Sequence, residues 1–208
     1  MKKTIISLIA ILIATSTLSA QTTEEILARM DAEVNRFDKE GVSLVMDMRI
    51  PILGTYSTTM YMLGDKYKAI LDVKGDHSIS WSDGITDWDY DAAKNELTIS
   101  HAKVSEDTEA ESNVKMLDSI TEGYDVKLKK ETEQAWYFVC TKSKSNTKKD
   151  DPKKMDLVVS KATFLPISTS VSEKGIKITM RDFTIGVSEE EITFDPAQYK
   201  DAKVIDKR

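Results

Sequence analysis

Apolar and polar positions alternate along most of this chain with a period of two, the spacing of strands that bury one face. Three early segments place apolar residues on one side, and these are Leu44, Met46, Met48 and Ile50, then Tyr56, Met60 and Met62, then Tyr67, Ala69, Leu71 and Val73. The connections between them are short, whereas a parallel return needs a crossover of about a dozen residues. The pattern predicts an antiparallel meander from Gly41 to about Ser100.

Two segments have helical spacing instead. The first begins with a capping box, in which Thr22 precedes Glu25 by three residues, and it stops at Gly41. Its apolar stripe consists of Ile26, Met30, Val34 and Phe37. The second runs over Glu106–Ile120 and stops at Gly123, with an apolar stripe of Val114, Leu117 and Ile120 or Thr121, beside which lies Met116. The chain is therefore predicted to contain an N-terminal helix and a helix that interrupts the strands.

Strand patterns resume after the second helix. They occur in "YDVKLKK", "AWYFVCT", "KMDLVVS", "PISTSVS", "IKITMRDFTI" and "EITF". The lysine-rich connection "KSKSNTKKDDPKK" is predicted to be an exposed loop and not a domain linker, because strands of one style flank it. These features favour a single, mainly antiparallel domain over residues 21–208.

The first twenty residues have the layout of a secretory signal peptide. Lys2 and Lys3 precede the apolar run "TIISLIAILIAT", and the small residues "STLSA" precede Gln21. Residues 1–20 are therefore predicted to be cleaved after export, with an uncleaved anchor as the alternative. No cysteine lies near the cleavage point, so the chain is not itself predicted to be a lipoprotein.

The charge of the mature chain argues against nucleic-acid binding. Without Lys2 and Lys3, 27 of the 29 basic residues remain against 35 acidic ones, a net charge of −8. Such a balance, taken over the whole chain, repels phosphate polymers and anionic membrane surfaces alike. The single cysteine, Cys140, cannot form an internal disulfide, and its strand-like surroundings predict a small buried side chain.

No arrangement of residues indicates catalysis, a metal or a cofactor. His77 and His101 lack any spacing that would bring two imidazoles onto one metal, and no nucleophile elbow or glycine-rich phosphate loop occurs. The acidic cluster lacks the spacing of a calcium loop and alternates with aromatic residues, which favours a solvated outer face; its members are Asp83, Asp87, Asp89 and Asp91. We therefore predict no catalytic residue, no metal ligand and no cofactor.

Methionine and aromatic residues give the apolar surface an unusual composition. Beyond Met30 the chain has methionine at positions 46, 48, 60, 62, 116, 155 and 180, and five of these seven alternate in register with apolar neighbours. Methionine is flexible and suits surfaces that adapt to variable ligands. Trp81, Trp88 and Tyr90 crowd one short stretch. Composition alone leaves two interpretations open, a ligand-binding surface and an ordinary core.

Two stretches resemble the periplasmic outer-membrane lipoprotein carrier family, LolA. "SDGITDWDYDAAKNELTIS" resembles a hairpin of that family, and the segment from "DLVVS" to "KVID" is similar to its C-terminal half. The matching positions in that half are Lys161, Thr163, Leu165 and Pro166 in a turn, Gly175 in a hairpin, Phe183 and Ile185 in a strand, then Phe194, Pro196 and Val204 to Asp206. Order and spacing hold over nearly the whole mature chain.

The resemblance implies a mainly antiparallel, curved and unclosed β-barrel, a half-barrel, with an N-terminal helix and a lid helix on its concave side. It implies a periplasmic monomer that carries acylated lipoproteins from an inner-membrane lipoprotein-releasing complex to an outer-membrane receptor. We expect the groove for the acyl chains to be lined by Met46, Met48, Met60, Met62, Tyr67, Leu71, Trp81, Trp88 and Tyr90. We expect the lid to use Ile26, Met30, Val34, Phe37, Val114, Met116, Leu117 and Ile120.

One departure from the family concerns control of the lid. The family carries an Arg-Pro pair whose arginine hydrogen-bonds the lid, whereas this chain has Leu63 and Gly64 there, with Lys66 and Lys68 nearest. A lysine is a point charge and replaces a forked guanidinium imperfectly. Two other functions stay open: a LolA-like envelope-stress sensor or other lipid-binding β-domain, and a structural domain with a dry core.

Overall fold

A computed structural model of the protein describes residues 21–73, 76–102, 120–149 and 151–208. The predicted signal peptide lies outside these ranges. Most of the second predicted helix also lies outside them, including Val114, Met116 and Leu117, and of its stripe only Ile120 is described. Ile120 is half-buried and packs against the hydrophobic core.

The described residues form one sheet of twelve strands: β1 (Val42–Ile50), β2 (Gly54–Leu63), β3 (Lys66–Val73), β4 (Asp76–Ser82), β5 (Thr86–Asp91), β6 (Glu96–His101), β7 (Tyr124–Glu131), β8 (Ala135–Lys142), β9 (Lys154–Ser160), β10 (Pro166–Glu173), β11 (Ile176–Ile185) and β12 (Lys203–Asp206). Their order is β12-β6-β5-β4-β3-β2-β1-β11-β10-β9-β8-β7. Only the β12–β6 pair is parallel. Because the end strands β12 and β7 do not pair with each other, the barrel is unclosed, and the predicted fold class is confirmed.

The N-terminal helix forms where its capping box predicts, but in two pieces. Thr22 accepts a hydrogen bond from the Glu25 backbone N–H, and the Glu25 carboxylate accepts one from the Thr22 backbone, so α1 (Thr23–Val34) starts with two satisfied donors. The turn at residues 35–36 separates it from α2 (Phe37–Glu40), because the Arg36 N–H bonds the Glu33 carbonyl three residues back. We expected one continuous helix. The hydrogen bond from Arg36 to Glu33 spans three residues and not four, and it ends α1 early.

Glycine is required where α2 ends. Gly41 has φ +75°, and a Cβ there would lie 2.7 Å from the Cβ of Val187 and 2.9 Å from the Met62 carbonyl oxygen. The Gly41 carbonyl also accepts a hydrogen bond from the Gly186 N–H. The end of α2, the beginning of β1 and the segment after β11 are thus held together at one point.

The stripe of α1 and α2 packs into the main hydrophobic core. Ile26, Met30, Val34 and Phe37 are all buried. They share one cluster with strand residues from both halves of the sheet, which are Val42, Leu44, Met62, Trp136, Phe138, Cys140, Met155, Leu157, Val159 and Phe183. Burying each such helix side chain stabilises the fold by about 1.5 to 3 kcal/mol. The helix is therefore a structural part of the sheet's core.

The chain after β11 covers the opposite side of the sheet. A second capping box, Ser188 with Glu191, starts the short helix α3 (Glu189–Ile192), and a 3₁₀ turn follows at Pro196–Tyr199. The segment "EITF" was predicted to be a strand; that prediction is wrong, because the capping box turns it into a helix end. Glu189 pairs with Lys66 of β3 at 2.6 Å, and Ile192 is buried.

A charged pair fastens β1 to β11 beside an irregularity in their register. Arg181 Nε lies 2.7 Å from Asp47 Oδ2, and the Ser57 hydroxyl donates to Asp47 Oδ1 at 2.6 Å. The register shifts between Ser43 and Val45, and Asp182 adopts φ 59° on the partner strand. The hydrogen bonds from Arg181, with the help of Ser57, hold the pKa of Asp47 below its usual 3.8.

We expect Asp47→Asn to lower the free energy of unfolding near pH 7 by about 1 kcal/mol, since a partly exposed pair is screened by water. A lowered folded-state pKa gives stability that is present above the unfolded pKa and is lost as the pH falls through the folded one. The difference between variant and parent should therefore shrink on acidification below 3.8, in urea unfolding followed by circular dichroism. Asp125→Asn, at an exposed position on the edge strand β7, is the control. A stability difference between Asp47→Asn and the parent that does not depend on pH would contradict the lowered pKa of Asp47.

Candidate functional site

The side of the sheet that contacts α1, here called the methionine face, carries continuous rows of apolar side chains across the strands. One row follows directly paired residues through six strands, which are Tyr56, Met48, Ile178, Val171, Met155 and Cys140. A neighbouring row contains Leu71, Thr58, Met46, Met180, Thr169 and Leu157. At about 4.8 Å per strand, six strands span roughly 24 Å. The alternation predicted for β1, β2 and β3 thus produces a broad apolar surface.

On β1, β2, β3 and β11, burial on the methionine face falls from one end of the strands to the other, whereas Met155 and Cys140 on β9 and β8 stay buried. Val42, Leu44 and Met62, at the end near α1 and α2, are almost fully buried. Met46, Met60 and Tyr67 are half-buried against the core, and further from α1 the half-buried residues include Met48, Tyr56, Leu71 and Ile178. The surface is therefore least covered at the C-terminal end of β1.

The predicted lid residues of the first helix are core residues. Ile26, Met30 and Phe37 have no exposed surface, and Val34 is 2% exposed. Phe37 also stacks on Phe183, with ring centroids 6.3 Å apart. Lifting the helix would expose all four side chains, at about 1.5 to 3 kcal/mol each. Their role as part of a movable lid stays a prediction.

The methionine face is apolar on β3 and becomes polar on β4. Ala69 lies opposite Ser80, and Tyr67 lies opposite Ser82, so β4 presents serines to the methionine face. The same register continues across the sheet and brings to this face Ser78, Asp87, Asp89, Asp91, Glu96, Thr98 and Ser100. Asp87, Asp89 and Asp91 were expected on an outer surface; they lie instead on the side that contains Met60 and Met62.

Tyr67 stands at the boundary between the apolar and the acidic part. Its ring packs against the core, and burial raises the pKa of its hydroxyl, with further contributions from the Asp87 and Asp89 charges. Asp89 accepts a hydrogen bond from the Ser80 hydroxyl at 2.6 Å. The methionine face thus combines an apolar floor on β1–β3 and β8–β11 with a polar wall on β4–β6.

The aromatic residues predicted to line the same groove lie on the opposite side, here called the aromatic face. Lys68 is directly opposite Trp81, and Trp81 is opposite Trp88. Since Lys68 alternates with Tyr67, these rings point away from the methionine face. Tyr90 shares their side. The prediction of one groove lined by both sets is therefore wrong for Trp81, Trp88 and Tyr90, because one residue of register decides the side.

The C-terminal segment packs on the aromatic face. The Phe194 ring stacks on Trp88 with centroids 5.0 Å apart and meets Trp81 edge-on at 5.3 Å. Tyr199 lies 4.7 Å from Tyr90 and 5.3 Å from Trp81. Trp81 is only 3% exposed as a result. These rings form a second core, and Phe194 and Tyr199 were not predicted as its partners.

Two lysines lie near the position where this chain departs from the family's Arg-Pro pair. Both are on the side of the sheet that the C-terminal segment covers. Lys66 pairs with Glu189, and the Lys68 ammonium lies 6.0 Å from the Trp81 ring centroid. Both side chains belong to the aromatic face, whereas α1 lies on the other. Leu63 precedes the turn, and Gly64 adopts φ +56° within it. Neither lysine is therefore placed to replace an arginine that reaches a helix on the methionine face.

Cys140 and His77 are two potentially reactive side chains among the described residues. Burial, aided by the Asp156 charge, raises the pKa of the Cys140 thiol to about 11, which makes it a weak nucleophile. His77 contacts Asp72 at 2.6 Å on an exposed hairpin. Within the described ranges, His, Cys, Asp and Glu nowhere gather in threes suited to a metal ion. No helix in those ranges is long and apolar enough to cross a membrane.

No family model matches the chain, and no curated protein matches it in sequence. Solved structures give distant likenesses. An uncharacterized conserved protein from Thermus thermophilus is 18% identical, with a TM-score of 0.49, over 90% of this chain and 100% of that one. A LolA superfamily protein from Nitrosomonas europaea is 14% identical, with a TM-score of 0.35, over 85% and 99%. MucB is 13% identical, with a TM-score of 0.40, over 81% of this chain and 63% of that one.

We expect Phe194→Ala to lower the free energy of unfolding by about 2 to 3 kcal/mol, because it removes ring packing from two tryptophans. The tryptophan emission should shift to longer wavelength as Trp81 and Trp88 gain water. Urea unfolding and steady-state fluorescence measure both effects. Tyr137→Ala is the control, since that ring contacts Lys130 and none of the described aromatic rings. An unchanged emission spectrum would show that Phe194 does not cover the aromatic face.

Proposed function

We propose that this protein is a periplasmic carrier that binds the acyl chains of lipoproteins on the methionine face. The observation that carries the proposal is the half-buried surface formed by Met46, Met48, Leu71 and their neighbours, a wide apolar area beside a helix whose apolar stripe is buried. Small-molecule sites are mostly apolar with a few polar groups that fix orientation. The serines and aspartates of β4–β6 supply such groups next to the apolar floor.

The burial gradient indicates where an acyl chain would bind. Burying each methylene is worth about 0.8 kcal/mol, so a dozen carbons supply on the order of 10 kcal/mol. Displacing α1 would use most of that energy, because four buried side chains would be exposed at about 1.5 to 3 kcal/mol each. The acyl chain therefore occupies the less covered end near Met48 and Leu71, and α1 stays in place as a wall.

The proposed transport task rests on the sequence. The signal-peptide pattern of residues 1–20 supports export to the periplasm, and the motifs shared with the lipoprotein carrier family support shuttling from an inner-membrane releasing complex to an outer-membrane receptor. The proposed carrier works as a monomer without a catalytic step. A carrier must also release its cargo, so its affinity is moderate.

The binding surface is tested by exchanging apolar for polar side chains of similar size. We expect the double variant Met46→Gln, Met48→Gln to bind a dansylated diacyl lipopeptide about tenfold or more weakly, because each amide loses water against hydrocarbon. Fluorescence titration of the mature protein measures the dissociation constant. The same peptide without acyl chains should not bind.

Val45→Thr is the matched control, since Val45 directly precedes Met46 on the same strand and points to the other side. We expect its affinity to equal that of the parent, and Phe194→Ala should also retain binding. Circular dichroism confirms that each variant is folded. Equal weakening by Val45→Thr, or full binding by the double methionine variant, would refute the methionine face as the site.

The transport task is tested in cells. Depletion of the protein should leave acylated lipoproteins in the inner membrane, because the carrier step is missing, and membrane fractionation with detection of the lipoproteins measures this. Native mass spectrometry of protein purified from its own periplasm should show an acylated adduct. Binding in vitro combined with normal lipoprotein sorting after depletion would instead favour a lipid-binding sensor.

A further inference from the structure

The hairpin tip between β1 and β2 presents apolar side chains to solvent. Its sequence is Pro51-Ile52-Leu53, and Ile52 is fully exposed while Leu53 is 59% exposed. Ile52 has φ 71°, a left-handed conformation that is disfavoured for a β-branched residue. The isoleucine side chain is therefore solvent-exposed on a strained backbone. Such strain clusters at functional sites.

The neighbouring tip between β10 and β11 extends this patch. A Cβ on Gly175 would lie 3.3 Å from Cγ of Pro51, so the two tips touch. Ile176, directly after Gly175, is 38% exposed. Ile52, Leu53 and Ile176 together are called the apolar tip below.

Basic side chains flank the apolar tip. Arg49 lies directly opposite Lys177 on the adjoining strand, and like charges in that position repel. Lys174 lies in the turn beside them. Among the residues that the structure describes, no carboxylate forms an ion pair with any of these three, so their charges are available to an external anion.

More lysines lie at the same end of the sheet. Antiparallel pairing puts the end of β1, the beginning of β11, the end of β10, the beginning of β9 and the end of β8 on one side. The β8–β9 connection, at that end, carries four exposed lysines, which are Lys144, Lys148, Lys149 and Lys153. The mature chain as a whole is acidic, and the same end of β3, β5 and β6 carries Asp72, Asp91 and Glu96, so this concentration of cations is local to the part formed by β1 and β8–β11.

We propose that this end of the sheet docks on an anionic phospholipid surface, with the apolar tip in the headgroup region and the basic side chains against the phosphates. Stable membrane attachment needs two signals, and a small apolar tip with a basic cluster gives a weak, reversible contact. The less covered end of the methionine face, with Met48 and Tyr56, lies at the same end of the strands. Docking would bring that part of the sheet to the membrane surface. The docking itself does not require bound cargo.

The test uses the mature full-length chain and vesicles of phosphatidylcholine with or without phosphatidylglycerol. We expect cosedimentation with the anionic vesicles only, weakened by added salt. The double variant Ile52→Asp, Leu53→Asp should partition about tenfold or more weakly, as should Lys148→Glu, Lys149→Glu. The matched control is Ile85→Asp, because Ile85 is a 74% exposed apolar residue between β4 and β5, at the opposite end of the sheet.

A second measurement locates the contact. Cys140 is buried, so Ile52→Cys and Ile85→Cys can each be labelled selectively with a polarity-sensitive fluorophore. We expect a blue shift with anionic vesicles at position 52 and none at position 85. Absence of binding to anionic vesicles, equal loss with Ile85→Asp, or a response at position 85 alone would overturn the proposal. Full lipopeptide binding by the double methionine variant, with vesicle binding of the parent protein observed as expected, would count against the proposed carrier function only.

Discussion

Strand register is the constraint on which the rest of this structure depends. Neighbouring residues of a strand point to opposite sides, and hydrogen-bonded pairing transmits that choice from one strand to the next. Met60 therefore shares a side with Ala69 and Ser80, while Trp81 shares the other with Lys68. The sheet acquires an apolar floor under α1 and a separate aromatic cluster under the C-terminal segment, without any break in the pairing between β3 and β4.

The two covers of the sheet differ in character. The α1 side is a broad core that ends in half-buried methionines, whereas the aromatic side is closed by a few rings, with Phe194 stacked on Trp88. A ligand needs surface that the protein has not already filled. That condition favours the methionine face, and the polar wall beside Tyr67 gives it an edge at which a chain with a polar head can be oriented.

Much of the fold could be predicted from the sequence. Alternation identified the early strands and the sides of Leu44, Met46 and Met60, and the capping box placed the start of α1 correctly. The sequence also showed that Asp87 and Asp89 oppose Trp88 within one strand. It could not show which of these sides joins the methionines, because that depends on the pairing of β3 with β4, and a shift of one residue reverses every assignment.

The remaining errors share a physical cause. Phe194 and Tyr199 lie about a hundred residues from the tryptophans along the chain, and no local pattern encodes so distant a contact. "EITF" alternates like a strand, yet Ser188 and Glu191 satisfy the backbone donors of a helix start, and that local bonding prevails. Isolated alternation over four residues is weaker evidence than a cap whose partners are all present.

The pairing of β12 with β6 has a consequence for how the molecule folds. β12 pairs with β6, and Lys203 bonds Glu96 across 107 positions of the chain. Closing so long a loop is slow, so this pairing is expected to form late in folding. Until β12 pairs and Phe194 docks, β6 is an open edge and Trp81 and Trp88 face water, so the partly folded molecule offers a site for mispairing that the docked segment removes.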